Sequence, residues 1–238
     1  MTDLVLVARE GPAALVTLNR PAKRNALSID LRLALAEVLE ALSTDPGVSA
    51  IGLTGAGSAF CAGMDVTQFG GDEAHKRVLV ESSVRCFSAL AGCSKPTVAL
   101  VNGPALAGGF ALALLCDVRV AAPEARFGFP EVGRHIPPSY AAAAWALPPA
   151  VARDLCLTGR TIDAGEALSL GVVSRIGDGR GALEEIAGAP AAATSEVKRR
   201  ILLERKGASG SQLMGVEIRA LYLALVGEEP PTSQNGGF

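Results

Sequence analysis

The sequence has little that would suit a metal ion, a disulfide framework, a membrane or a nucleic acid. It holds two histidines, His75 and His135, far apart and in no metal-ligand spacing. Its five cysteines (Cys61, Cys86, Cys93, Cys116, Cys156) form no C-x-x-C pair and are odd in number. They read as reduced, mostly buried small residues of a cytosolic protein. No apolar run approaches the ~20 residues that a membrane span needs. The opening MTDLVLVAREG shows no basic segment followed by an apolar core, so no signal peptide and a cytoplasmic location are expected. Twenty-two Lys and Arg against 24 Asp and Glu leave a net charge of −2, without the basic face of a nucleic-acid binder. What the chain does have is length and apolar content: 238 residues, 49% hydrophobic, enough for one sizeable core and an appendage.

In chain order, Leu4–Val7 and Ala14–Leu18 flank Glu10-Gly11-Pro12, a strand–turn–strand signature. Ser28 can cap a helix to about Leu42, with Leu31, Leu35, Val38, Leu39 and Leu42 on one face. Asp45-Pro46-Gly47 ends it, and the strand Ile51–Thr54 follows. A helix between two apolar strands implies a right-handed β-α-β crossover and parallel pairing. Gly70-Gly71-Asp72 suggests a mobile segment before a helix from His75 to Leu90. Short helices are expected over Ala141–Trp145, Pro149–Leu157 and Asp163–Leu170, then a strand Val172–Ile176 and helices near 181–188, 194–205 and 211–226. Residues 228–238, rich in Pro, Gly and Ser, read as disordered.

The stretch from Val101 to Glu131 is where chemistry is expected. Thr97–Val101 reads as a buried strand, Asn102-Gly103-Pro104 as a turn, and Gly108-Gly109 opens an apolar helical run to Leu115. Bare N–H groups at a helix start can hold a developing oxyanion, although such a glycine pair more often serves a tight turn or close packing. Upstream, after the strand Ala50–Thr54, the loop Ser58–Asp65 offers a second set of backbone donors.

Asn19-Arg20-Pro21-Ala22-Lys23-Arg24-Asn25-Ala26-Leu27, Leu53-Thr54-Gly55 with Phe60-Cys61-Ala62-Gly63-Met64-Asp65, Val101-Asn102-Gly103-Pro104-Ala105, Cys116-Asp117 and Phe127-Gly128-Phe129-Pro130-Glu131 together resemble the enoyl-CoA hydratase/isomerase (crotonase) family. Leu157-Thr158-Gly159-Arg160 and Glu166-Ala167-Leu168 through Val173 extend the resemblance, which covers roughly residues 4 to 200. It implies an α/β fold: a ClpP/crotonase spiral of β-β-α units over 1–180, a C-terminal helical trimerisation region over 181–227 and a tail at 228–238. It also implies an acyl-CoA substrate, no permanently bound cofactor, and a homotrimer or dimer of trimers.

Carried over by motif, the backbone N–H groups of Met64 and Gly108 are expected to form an oxyanion hole for a thioester carbonyl. Lys23, Arg24 and Ala26, with Ala62 and Asp65, are the expected CoA contacts; Asp65 can equally order its own loop. Two-carboxylate hydratases of this family carry a Glu three positions beyond the donor glycine, where this chain has Ala111. The second carboxylate is present as Glu131, among Phe127, Phe129 and Pro130, an apolar setting that raises a carboxyl pKa and suits a general base. One carboxylate with an oxyanion hole suffices for isomerisation. The alternatives are hydration at a modified site or acyl-CoA binding without turnover. Where the family commonly runs Leu-Gly-x-Ile-Pro-Gly, this chain has Arg134-His135-Ile136-Pro137-Pro138-Ser139-Tyr140. His135 and Tyr140 are therefore auxiliary candidates, with helix capping or packing as the plainer role. Asp117 is expected to cap a turn, Trp145 to be core, and Lys198-Arg199-Arg200 to form a solvated helix face, with Lys198 a remote candidate for a CoA phosphate.

Overall fold

The computed structural model describes residues 3–205. The expected helix near 211–226 and the tail 228–238 lie outside the described residues.

A six-stranded sheet is built from β1 (Val5–Glu10), β2 (Ala13–Leu18), β3 (Ala50–Gly55), β4 (Thr97–Val101), β6 (Val118–Ala121) and β9 (Arg175–Ile176), in that spatial order. The β1–β2 hairpin is antiparallel and every later pairing is parallel, with Leu15 opposite Gly52 and Ile51 opposite Thr97. A second sheet holds β5 (Ala105–Leu106), β7 (Arg126–Gly128) and β8 (Thr161–Asp163), with β7 parallel to β5 and antiparallel to β8. The helices are α1 (Ile29–Thr44), α2 (Glu73–Ala91), α3 (Gly108–Leu115), α4 (Tyr140–Ala146), α5 (Pro149–Thr158), α6 (Ala164–Ser169), α7 (Arg180–Gly188) and α8 (Ala191–Arg205). None of them is long and apolar enough to cross a membrane. This is the α/β spiral that the resemblance implies.

Local chemistry explains most boundaries. The Ser28 hydroxyl accepts from Leu31 N, one of the donors that a helix start leaves unpaired. Leu31, Leu35, Leu39 and Leu42 then fall on the buried face of α1. The Gly70–Gly71 stretch leads into Asp72, which caps α2 through His75 N. The expected strand at Val172 starts three residues later. Val172 and Val173 both donate to Ala167 O, finishing α6, and Ser174 N then joins Arg119 O at the sheet edge.

The core lies between the two sheets, and α3 runs through it with every residue from Gly109 to Leu115 buried. Phe110 packs against Phe127 and Phe129, with ring centroids 5.5 and 4.9 Å apart and tilted planes. A smaller cluster, including Val98, Leu100, Val120 and Leu183, lies under α7 on the other side of the larger sheet.

The C-terminal helix corrects one expectation. Lys198 is 1% exposed and its Nζ donates to Asp117 Oδ2 at 2.7 Å, so it belongs neither to a solvated face nor to a phosphate site. Arg199 and Arg200, turned roughly 100° and 200° round the helix, are the solvated pair and meet Glu196. Asp117 is thus more than a turn cap: it also accepts from Thr97 N and Oγ1 and from Arg205. Trp145 is half-buried, with the Arg205 guanidinium 5.6 Å over its ring.

Candidate active site

A cleft of about 520 Å³ opens between the loop after β3, the start of α3 and the segment after β7. The first of these loops is stitched on both sides. Ala62 N donates to Arg24 O and Leu27 N to Gly63 O, while Cys61 N donates to Pro104 O and Leu106 N to Cys61 O. Leu27 and Met64 form a parallel bridge, in which Leu27 bonds to the residues before and after its partner: Leu27 N to Gly63 O, and Asp65 N to Leu27 O. That pattern turns the Met64 N–H to the opposite side. Gly63 makes the turn possible, with φ +101° and a Cβ that would stand 2.8 Å from Ala107 Cβ.

The second wall is the N-terminus of α3. The first intrahelical bond runs from Ala111 N to Ala107 O, leaving the amides of Gly108, Gly109 and Phe110 without intrahelical acceptors. Ala107 takes φ +52°, ψ −127°, a costly conformation for a residue with a side chain, and it aims the following N–H groups. The two glycines differ in what they do. A Cβ on Gly109 would lie 2.1 Å from Cys61 O, so close backbone packing demands that glycine. Gly108 meets nothing nearer than 3.5 Å and lines the cleft with Met64.

Glu131 comes from a 3-10 turn, Pro130–Arg134, that follows the buried Phe127–Phe129 segment. Its Oε2 is the one buried side-chain oxygen or nitrogen among the described residues with no hydrogen-bond partner. Burial raises its pKa from 4.5 to about 7, against a small lowering from its own backbone N–H. A carboxyl near pH 7 that faces a cleft can both take and return a proton. Ala111, where a second carboxylate would stand, is fully buried in the core.

Lys23, Arg24, Ala26, Ala62 and Asp65 all line this same cleft. Asp65 is already engaged: Thr67 and Arg20 donate to it, which outweighs the rise due to burial and holds its carboxyl below the usual range. His135 and Tyr140 do not line the cleft. His135 is exposed and ends the 3-10 turn with φ +61°, and Tyr140 opens α4 at 45% exposure. Arg134, Pro137, Pro138 and Ser139 line the wall instead.

Two further residues shape the site. Asn25 is fully buried and its side chain donates to Ala56 O, Ala59 O and Phe60 O, tying the Lys23–Ala26 loop to the turn after β3. Arg32, also fully buried, donates to Leu27 O and to Met64 Sδ from behind the cleft wall. Its position within the apolar stripe of α1 gave no sequence signal of such a role. Among the described residues no group of three or more His, Cys, Asp or Glu could hold a metal ion.

The family model for enoyl-CoA hydratase/isomerase matches residues 9–191. A putative enoyl-CoA hydratase of Thermus thermophilus is 44% identical over 184 residues, 74% of this chain and 72% of that one. A short-chain-enoyl-CoA hydratase of Clostridium acetobutylicum is 37% identical over 179 residues, 72% of this chain and 68% of that one. The crystal structure of an enoyl-CoA hydratase/isomerase from Mycobacterium paratuberculosis superposes with a TM-score of 0.87 at 27% identity, covering 95% of each chain. The chain belongs to the enoyl-CoA hydratase/isomerase family.

Proposed function

We propose that this enzyme binds an acyl-CoA thioester with its carbonyl oxygen between the N–H groups of Met64 and Gly108, and that Glu131 is its single acid–base group. Lys23 and Arg24 hold the CoA phosphates. Negative charge that develops on the thioester oxygen meets two preorganised amides, each worth about 10²–10³ in rate in comparable sites.

The reaction favoured is the shift of a double bond. The Glu131 carboxylate takes a proton from C2 of a 3-enoyl thioester, and the C–H pair becomes the enolate. The same carboxyl returns the proton at C4, the C3=C4 bond moves to C2=C3, and the carbonyl reforms. The observation that carries this reading is the buried, unpartnered Glu131 oxygen in the cleft that Met64 and Gly108 also line. The relatives' names support a second reading, hydration, in which residue 111 contributes no proton and Glu131 alone handles the water.

Incubation with 2-enoyl- and 3-enoyl-CoA in deuterated water, followed by mass spectrometry, separates the two. Interconversion with no added water supports the shuttle, and uptake of one D₂O supports hydration. Failure to convert or exchange either thioester overturns the assignment of Glu131.

A further inference from the structure

Arg32 is fully buried, yet among the described residues no carboxylate pairs with it. Its guanidinium is held by neutral acceptors: Nη1 by Leu27 O at 2.9 Å and Met64 Sδ at 3.4 Å, Nη2 by Leu79 O at 3.3 Å, and Nη2 and Nε by Ser82 Oγ at 2.8 and 3.2 Å. Burial lowers its pKa to about 10, opposed by Cys86 and Asp65, so it remains a cation at neutral pH. Asp65, the carboxylate on the neighbouring loop, is committed to Arg20 at 3.0 Å. A buried guanidinium with no carboxylate in contact is costly, and an apolar side chain of similar size would normally serve the fold at least as well. Arg119, which is half-buried, has a plain structural use: it donates to the carbonyls of Leu114 and Cys116 where α3 ends. Arg32 has no helix end to cap.

What Arg32 does touch is the back of the cleft wall. Leu27, whose carbonyl it grips, is the residue bridged to Met64. Met64 Cγ in turn lies 3.7 Å from where a Cβ on Gly108 would be. The cation therefore stands one side chain behind the pair of amides, in low-dielectric surroundings where its field is poorly screened.

We propose that Arg32 is a positioning residue for the enolate: it fixes the Met64 amide through Leu27 and supplies the positive field that favours charge on the thioester oxygen. This rests on the reading that the thioester oxygen sits between Met64 and Gly108. Arg32 favours the charged form over the ground-state thioester, so it acts on kcat more than on KM.

The test uses the full-length chain with two probes: acetoacetyl-CoA, whose enolate has its own ultraviolet absorbance, and butyryl-CoA, a saturated thioester that reports ground-state binding. Wild type is expected to raise the enolate fraction of bound acetoacetyl-CoA above that in buffer. R32M is expected to lower that enhancement roughly ten- to hundred-fold, to keep butyryl-CoA affinity within about three-fold, and to lose kcat with little change in KM. R32K, which keeps the charge, is expected to recover most of the signal. If wild type produces no enolate enhancement, the reading of Met64 and Gly108 fails. If wild type enhances the enolate and R32M does so equally, or if R32M and R32K lose both probes together, Arg32 is a structural residue and the proposal is overturned.

Discussion

Glu131→Gln tests function and folding in one variant, because the burial that prepares Glu131 for its proposed role must also weigh on stability. The rise of its pKa from 4.5 to about 7 amounts to roughly 3 kcal/mol of preference for the protonated form in the folded state. A carboxyl whose folded pKa lies above its unfolded value contributes stability that is complete below about pH 4.5 and is lost as pH rises to about 7. Glutamine has nearly the same shape and does not titrate. The stability of E131Q relative to wild type is therefore expected to improve by about 3 kcal/mol between pH 4 and pH 8, and to level off above pH 7. Urea denaturation across that range measures it. Turnover should move the other way: kcat is expected to fall about 10²- to 10⁴-fold, while CoA-thioester affinity is kept. Wild-type kcat/KM should rise with pH through about 7 as the base ionises. A stability difference that stays flat with pH would show that the carboxyl is not desolvated, and wild-type turnover in E131Q would remove it from the chemistry.

Three other perturbations probe the cleft and its support. K23Q/R24Q is expected to raise KM for CoA thioesters about ten-fold or more with kcat unchanged, the difference shrinking in salt; an unaltered KM would place the phosphates elsewhere. Gly63→Ala adds a methyl group 2.8 Å from Ala107 Cβ at φ +101°, so the two donor loops must part. A displacement near 1 Å costs about 10²-fold in kcat, and steady-state kinetics at the wild-type rate would refute it. Asp117→Ala leaves the 1%-exposed Lys198 without its carboxylate, a loss of about 3–5 kcal/mol. A denaturation midpoint close to wild type would show that α8 does not depend on that pair.

Much of the fold could be read from sequence because it is carried by strong local signals. Ser28 ahead of a leucine stripe marks α1, and the apolar runs of β2, β3 and β4 mark strands buried on both faces. The second sheet left no such mark. Its strands are two and three residues long, too short for any period to show, and they exist only because the spiral brings them together. Lys198 was hidden for a related reason. In a run of three basic residues, the one that is buried is singled out by Asp117, 81 positions away, and by nothing local.

The site divides in the same way, and the division bears on the reaction. Glu131 could be found because its apolar neighbours are adjacent in sequence; Arg32 sits on the buried face of α1, three and seven positions before Leu35 and Leu39, but what it touches there, Leu27 and Met64, is set by the fold and not by local sequence. Ala111, one turn into α3, is fully buried and does not line the cleft. Hydration through Glu131 alone asks one carboxyl to draw a proton from water and deliver one to C2 within a single addition. A shuttle asks the same group to be base and then acid, for which a pKa near 7 is well placed. On the proposed reading, one carboxyl poised between its two forms moves a proton along the substrate without help from a second side chain.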